Sequence, residues 1–144
     1  MAISFSAEQA KALDMFQKGH NLCMIGPGGS GKTFVIQQMY KWAMENKKTI
    51  AVTALTGCAA YLLVSTEART IHSWSGIYRF NDKDVSGKTI EAYVKLLHKK
   101  RKQSMARWLT TDILIIDEIS MMSSQFFTLL DGIGRNLRSK GFHD

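Results

Sequence analysis

Along residues 126–137 the apolar positions Phe126, Leu129, Leu130, Ile133 and Leu137 recur at three- and four-residue intervals, the spacing of one helix face, which predicts a helix over 123–138. Shorter apolar, β-branched runs between polar or glycine residues read as strands at 21–25, 49–54 and 112–117. Further helices are expected at 32–46, 57–65 and 88–100. Ser6 followed by Gln9 spells a capping box opening a helix to about Gln17, with Ala10, Leu13 and Phe16 as core contacts. Residues 76–87, with two glycines and several polar positions, read as a surface loop. Near-continuous apolar strands interleaved with helices predict an α/β fold, a mostly parallel sheet covered by helices on both faces. No repeat, low-complexity tract or linker interrupts the pattern, and 144 residues amount to one domain.

One junction in this pattern carries chemistry. Residues 26–33 read Gly26-Pro27-Gly28-Gly29-Ser30-Gly31-Lys32-Thr33, a complete G-x-x-x-x-G-K-[ST] loop between an apolar run and a predicted helix. Side chains at Gly28, Gly29 and Gly31 would block a triphosphate. Their absence lets backbone NH groups line an anion nest at a helix start. Lys32 supplies positive charge for the β and γ phosphates, and Thr33 a hydroxyl for Mg²⁺.

Composition changes the picture little. At 45% hydrophobic and 22% charged the chain reads as a globular protein, and no apolar stretch approaches a membrane span. The N-terminus lacks a secretory pattern, so the expected location is intracellular: cytoplasmic, or nuclear in a eukaryote, with no membrane partner. Cys23 and Cys58 lie in apolar surroundings and are expected to be buried thiols; with the four histidines they form no zinc-spaced cluster. Oligomeric state is left open. Charge says more. The net charge is +7, and residues 81–107 hold eight Lys/Arg against three Asp/Glu. Such a segment on a nucleotide-binding domain fits a polyanion partner, although His98 to Lys102 taken alone reads equally well as a solvated helix face.

A second constellation follows Lys32 by about 85 residues: Ile113-Leu114-Ile115-Ile116-Asp117-Glu118. An apolar strand ending in two acids puts both carboxylates at the carboxyl edge of a parallel sheet, where ligands bind in such folds. Asp117 is placed to hold Mg²⁺ through water. Glu118 is placed to orient and deprotonate the water that attacks the γ-phosphate.

Taken together, Phe5-Ser6-Ala7-Glu8-Gln9, the loop at 26–33, Thr53-Ala54-Leu55-Thr56-Gly57-Cys58-Ala59-Ala60, Thr70-Ile71-His72-Ser73-Trp74-Ser75-Gly76-Ile77 and Leu114-Ile115-Ile116-Asp117-Glu118-Ile119-Ser120-Met121 resemble, in order and spacing, the early motifs of the Pif-one family of superfamily-one DNA helicases. The resemblance implies a P-loop NTPase fold of RecA-like type, ATP and Mg²⁺ as cofactors, and 5′-to-3′ translocation on single-stranded DNA. It puts Gln9 on the adenine edge, a role that competes with capping. Thr56 and Gly57 fall where the family grips the DNA backbone, the alternative for Thr56 being a helix cap. His72 and Ser73 match a second strand-contact motif, and Trp74 either stacks on a base or joins the core.

The same resemblance marks what residues 1–144 do not carry. A family motor has two RecA-like domains and takes arginines from later motifs. The strand that lies between the phosphate-loop strand and the Asp-Glu strand also comes later. The chain is therefore expected to be the N-terminal part of one motor domain, incomplete at its C-terminus, marginally stable and without turnover by itself. Two alternatives are a non-catalytic nucleotide- or DNA-binding remnant and another P-loop enzyme such as a nucleotide kinase, which would need an acceptor lid.

Overall fold

The computed structural model describes residues 5–25, 31–80 and 85–139, apart from the side chains at 58, 61, 62 and 64. They fall into two compact units, Met1–Lys48 and Thr49–Asp144.

In the first unit, α1 (Ala7–Gln17) starts at the expected capping box. Ser6 Oγ accepts from the Gln9 NH at 3.2 Å, and Gln9 Oε1 accepts from the Ser6 NH at 2.9 Å. α2 (Lys32–Glu45) buries Val35, Ile36, Met39 and Ala43, which share one stripe. Phe16 of α1 meets Trp42 of α2 edge-on at 5.5 Å, and Phe5 meets Phe34 at 5.4 Å. Three expectations need correction here. Ala10 is exposed and nothing in α1 is fully buried. Residues 21–25 form no strand, with Ile25 93% exposed. An apolar run becomes a strand only where a neighbour takes up its NH and CO groups, and among the described residues no strand pairs with this run. Cys23, on the same segment, is consequently exposed rather than buried.

The second unit contains β1 (Ile50–Ala54), α3 (Gly57–Leu62), β2 (Arg69–Thr70), α4 (Ile71–Ser75), α5 (Gly87–Lys100), α6 (Lys102–Thr110), β3 (Ile113–Asp117) and α7 (Ser124–Ser139). Short 3-10 turns occupy Val64–Thr66 and Ile119–Met121. The sheet has the order β2-β1-β3 with both pairings parallel, as the apolar strands predict. Ala51, Leu114 and Ile116 pack on the helices that carry the main core, while Ala54 packs on Ala59 and Ala60 of α3. β1 is fully buried from Val52 to Ala54, whereas every residue of β3 is half-buried.

That main core is built by α4 to α7. Leu97, Leu129 and Ile133 are completely buried, each contributing roughly 1.5–3 kcal/mol of transfer free energy. Trp74 and Trp108 meet at 4.7 Å, and the Trp108 indole NH donates to the Ser75 carbonyl at 3.0 Å, so the buried ring leaves no donor unpaired. Arg138 at the end of α7 donates to the Leu109 and Thr111 carbonyls at 3.0 and 2.9 Å, taking up orphan acceptors at the end of α6. On α7, Phe126, Leu129, Leu130 and Ile133 are buried and Leu137 packs beside them, as the periodicity requires.

Candidate functional site

Strand register assembles the site of the second unit. Ala54 pairs with Thr70 on one side and with Asp117 on the other, so the row Thr70, Ala54, Asp117 crosses the sheet at its carboxyl edge. The residues that follow each strand are the ones singled out by sequence: Thr56 and Gly57 after β1, His72 and Ser73 after β2, Glu118 after β3. Residues as far apart in sequence as Thr56 and Glu118 thereby follow strands that end on one edge.

Each connection has a local cause. Thr56 Oγ1 accepts from the Ala59 NH at 3.1 Å, capping α3, so the structural alternative weighed for Thr56 is present. Thr70 Oγ1 likewise accepts from the Ser73 NH at 3.1 Å and starts α4 directly off the strand. At β3 the chain turns sharply because Glu118 is left-handed, at φ 58 and ψ 41. Its NH is held by Asp117 Oδ1 at 2.9 Å. A glutamate in this conformation carries strain of about 1–2 kcal/mol. Glu118 is exposed and Asp117 half-buried at the strand end.

His72 is half-buried with its ring 5.1 Å from that of Phe126, and its Nδ1 is buried without a hydrogen-bond partner among the described residues. Trp74 is 3% exposed, which resolves its two readings in favour of the core. Arg107, which the sequence offers only as one member of a basic run, proves to hold α4 in place. It donates to the Ser73 carbonyl at 2.8 Å, the Trp74 carbonyl at 3.0 Å and Ser104 Oγ at 3.0 Å. Burial, reinforced by the charge of Arg69, pulls its guanidinium below its usual range, with Tyr78 pulling the other way. No motif announces this residue, because the α4 carbonyl groups it holds lie more than thirty positions away.

In the first unit, Gly26, Pro27, Gly28, Gly29 and Ser30 lie outside the described residues. Gly31 is left-handed at φ 81 and precedes α2, so Lys32 and Thr33 are its first two helical residues. The Gln9 amide nitrogen lies 3.5 Å from the Gly31 carbonyl, and a Cβ at Gly31 would collide with that nitrogen. Gln9 thus caps α1 and closes on the phosphate loop with the same side chain.

A parallel sheet with acids at its carboxyl edge, together with a glycine-lysine-threonine helix start, defines a P-loop NTPase of RecA-like fold. The crystal structure of a Pif1 helicase from Candida albicans superposes with a TM-score of 0.79 at 32% identity, covering 96% of this chain and 30% of that one. The profile of the PIF1-like helicases matches residues 4–143, and the chain belongs to that family. Among named relatives, the ATP-dependent DNA helicase RRM3 of Saccharomyces cerevisiae is 33% identical over 94% of this chain and 18% of its own length. The ATP-dependent DNA helicase Pif1 of Bdellovibrio bacteriovorus is 34% identical over 94% of this chain and 28% of its own. The chain thus spans less than a third of the length of these relatives. Family membership sets aside the nucleotide-kinase alternative.

Proposed function

We propose that this chain is the N-terminal part of the first RecA-like domain of an ATP-dependent 5′-to-3′ DNA helicase, binding ATP and single-stranded DNA. The observation that carries the reading is the register row: residues matched to DNA contact follow β1 and β2, and the residues matched to hydrolysis end β3 on the same edge.

In this reading Lys32 neutralises the β and γ phosphates, and Glu118 accepts the proton of the attacking water. Thr33 and Asp117 offer oxygen donors, the chemistry Mg²⁺ requires, and Asp117 spends only Oδ1 on the Glu118 NH among the described residues. The metal when bound screens phosphate charge. Gln9 must release the Ser6 NH to present both amide atoms to an adenine edge, so nucleotide binding loosens the start of α1. A motor of this kind works where DNA is, in the cytoplasm or in a nucleus. A Cβ at Gly57 would meet no described atom within 4 Å, so packing within the chain does not require glycine there, and a DNA backbone can approach closely.

Thr56→Ala and His72→Ala are expected to weaken binding of a labelled oligothymidylate about ten-fold each, with ATP affinity unchanged. Thr56→Ser, which keeps the hydroxyl, should bind as wild type. Affinity should fall steeply with salt for every sequence tested. Fluorescence anisotropy reads all three. A salt-independent affinity would contradict phosphate contact, and parallel loss of ATP binding would trace the effect to misfolding.

A further inference from the structure

The end of α5 and the start of α6 meet at Arg101, whose backbone (φ −131, ψ 54) breaks the helix without glycine or proline. The bend opens a concavity of about 390 Å³ lined by Lys99, Lys100, Lys102 and Tyr78 above Ser104 and Arg107, with no carboxylate among the described residues of its wall. The three lysines and Arg101 are exposed, and no ion pair among the described residues engages them. Arg101 lies 5.1 Å over the ring of Tyr78, which is itself 56% exposed, so a flat aromatic and guanidinium surface sits beside the charges.

Helix stability accounts for only part of this charge. Lys99 and Lys100 occupy the last turn of α5, where cations complement the dipole. Lys102 is the first residue of α6, where the dipole opposes a cation, and the first turn of α6 carries no acid. Adjacent like charges also repel, and a polyanion relieves that repulsion. The concavity adjoins the DNA edge through Arg107, which lines it and also donates to the carbonyls of Ser73 and Trp74.

Resting on the helicase reading above, we propose that the α5–α6 junction is a second contact for the same single strand of DNA. Lys99, Lys100 and Lys102 take backbone phosphates, and a base stacks on the Tyr78–Arg101 pair. The exposed π-face favours an unpaired base over a duplex, since stacked bases inside a duplex offer no face.

The test uses the 144-residue chain, labelled oligothymidylate and a blunt duplex of mixed sequence. The triple variant Lys99→Ala, Lys100→Ala, Lys102→Ala should bind the single strand about ten-fold or more weakly and lower the slope of log affinity against log salt by about 2, with ATP affinity and thermal melt unchanged. Tyr78→Ala should weaken single-strand binding but not duplex binding, and Tyr78→Phe should restore it. An unchanged salt slope in the triple variant overturns the phosphate contact. Equal loss on duplex and single strand, or no loss, overturns the stacking role. Should the wild type bind no DNA, the helicase reading itself fails; should Thr56→Ala weaken binding while the triple variant does not, only the second contact fails.

Discussion

Lys32→Ala is expected to abolish ATP hydrolysis, and Glu118→Gln to leave ATP bound while stopping turnover, when this chain is assayed together with a second RecA-like domain as the proposed function requires. The two losses differ in kind. In the proposed reading, alanine at 32 removes the charge that faces the β and γ phosphates, so binding and chemistry fall together. Glutamine at 118 keeps the shape but cannot accept the water's proton, so the chemical step alone slows, by roughly a hundred- to ten-thousand-fold. Glu118 provides a sharper contrast through its left-handed backbone. Glu118→Gly should show the same kinetic loss yet raise stability by about 1 kcal/mol, because glycine adopts that conformation without strain. Single-turnover hydrolysis, nucleotide titration and urea unfolding measure the three effects. Wild-type hydrolysis in Lys32→Ala or Glu118→Gln would remove these assignments.

Gly76→Ala is expected to be the most destabilising single methyl added to the second unit. Gly76 ends α4 at φ 78, a conformation that costs an alanine about 1–2 kcal/mol. The new Cβ would lie 2.6 Å from Ser104 Oγ, 2.7 Å from Ser104 Cβ and 2.9 Å from Leu97 Cδ2. Neither neighbour yields easily. Leu97 is fully buried, and Ser104 is tied to Arg107 at 3.0 Å. Overpacking adds about 1–3 kcal/mol, a large share of the roughly 5–15 kcal/mol that holds a domain together. Gly87→Ala serves as the control: a Cβ at that first residue of α5 meets nothing within 4 Å, so the change should be neutral or stabilising. Urea midpoints decide the matter. If Gly76→Ala unfolds at the wild-type midpoint, the close approach of α4 to α5 and α6 is wrong.

Much of the architecture is legible in the sequence where signals are local. Six of the expected elements, at 6–17, 32–46, 49–54, 88–100, 112–117 and 123–138, appear with ends shifted by a residue or two, because caps and apolar periods act over a few positions. Short elements escape. β2 has two residues and α4 five, too few for any period to show, and α6 buries only Ser104 and Trp108 amid basic residues. The helix expected over 57–65 stops at Leu62 and continues as a 3-10 turn, Thr66 Oγ1 bonding back to the Leu63 carbonyl at 2.5 Å. The run 21–25 has strand composition and no strand partner, since composition does not carry the neighbour's backbone with it.

By itself, then, the sequence determined the chemistry carried by consecutive residues: the glycine-lysine-threonine loop, the capping box shared by Ser6 and Gln9, the apolar strand that ends in Asp117 and Glu118, and the family to which they belong. Such features depend on bond geometry and on hydrogen bonds spanning three or four positions. The tertiary structure alone decided that Thr70, Ala54 and Asp117 form one row, that Trp74 packs on Trp108 rather than facing solvent, and that Arg107 holds the turn carrying Ser73. Those outcomes rest on strand order, register and the closing of a core between segments thirty or more residues apart. The free energy that selects them comes from burying several faces at once, and no single stretch of chain contains it.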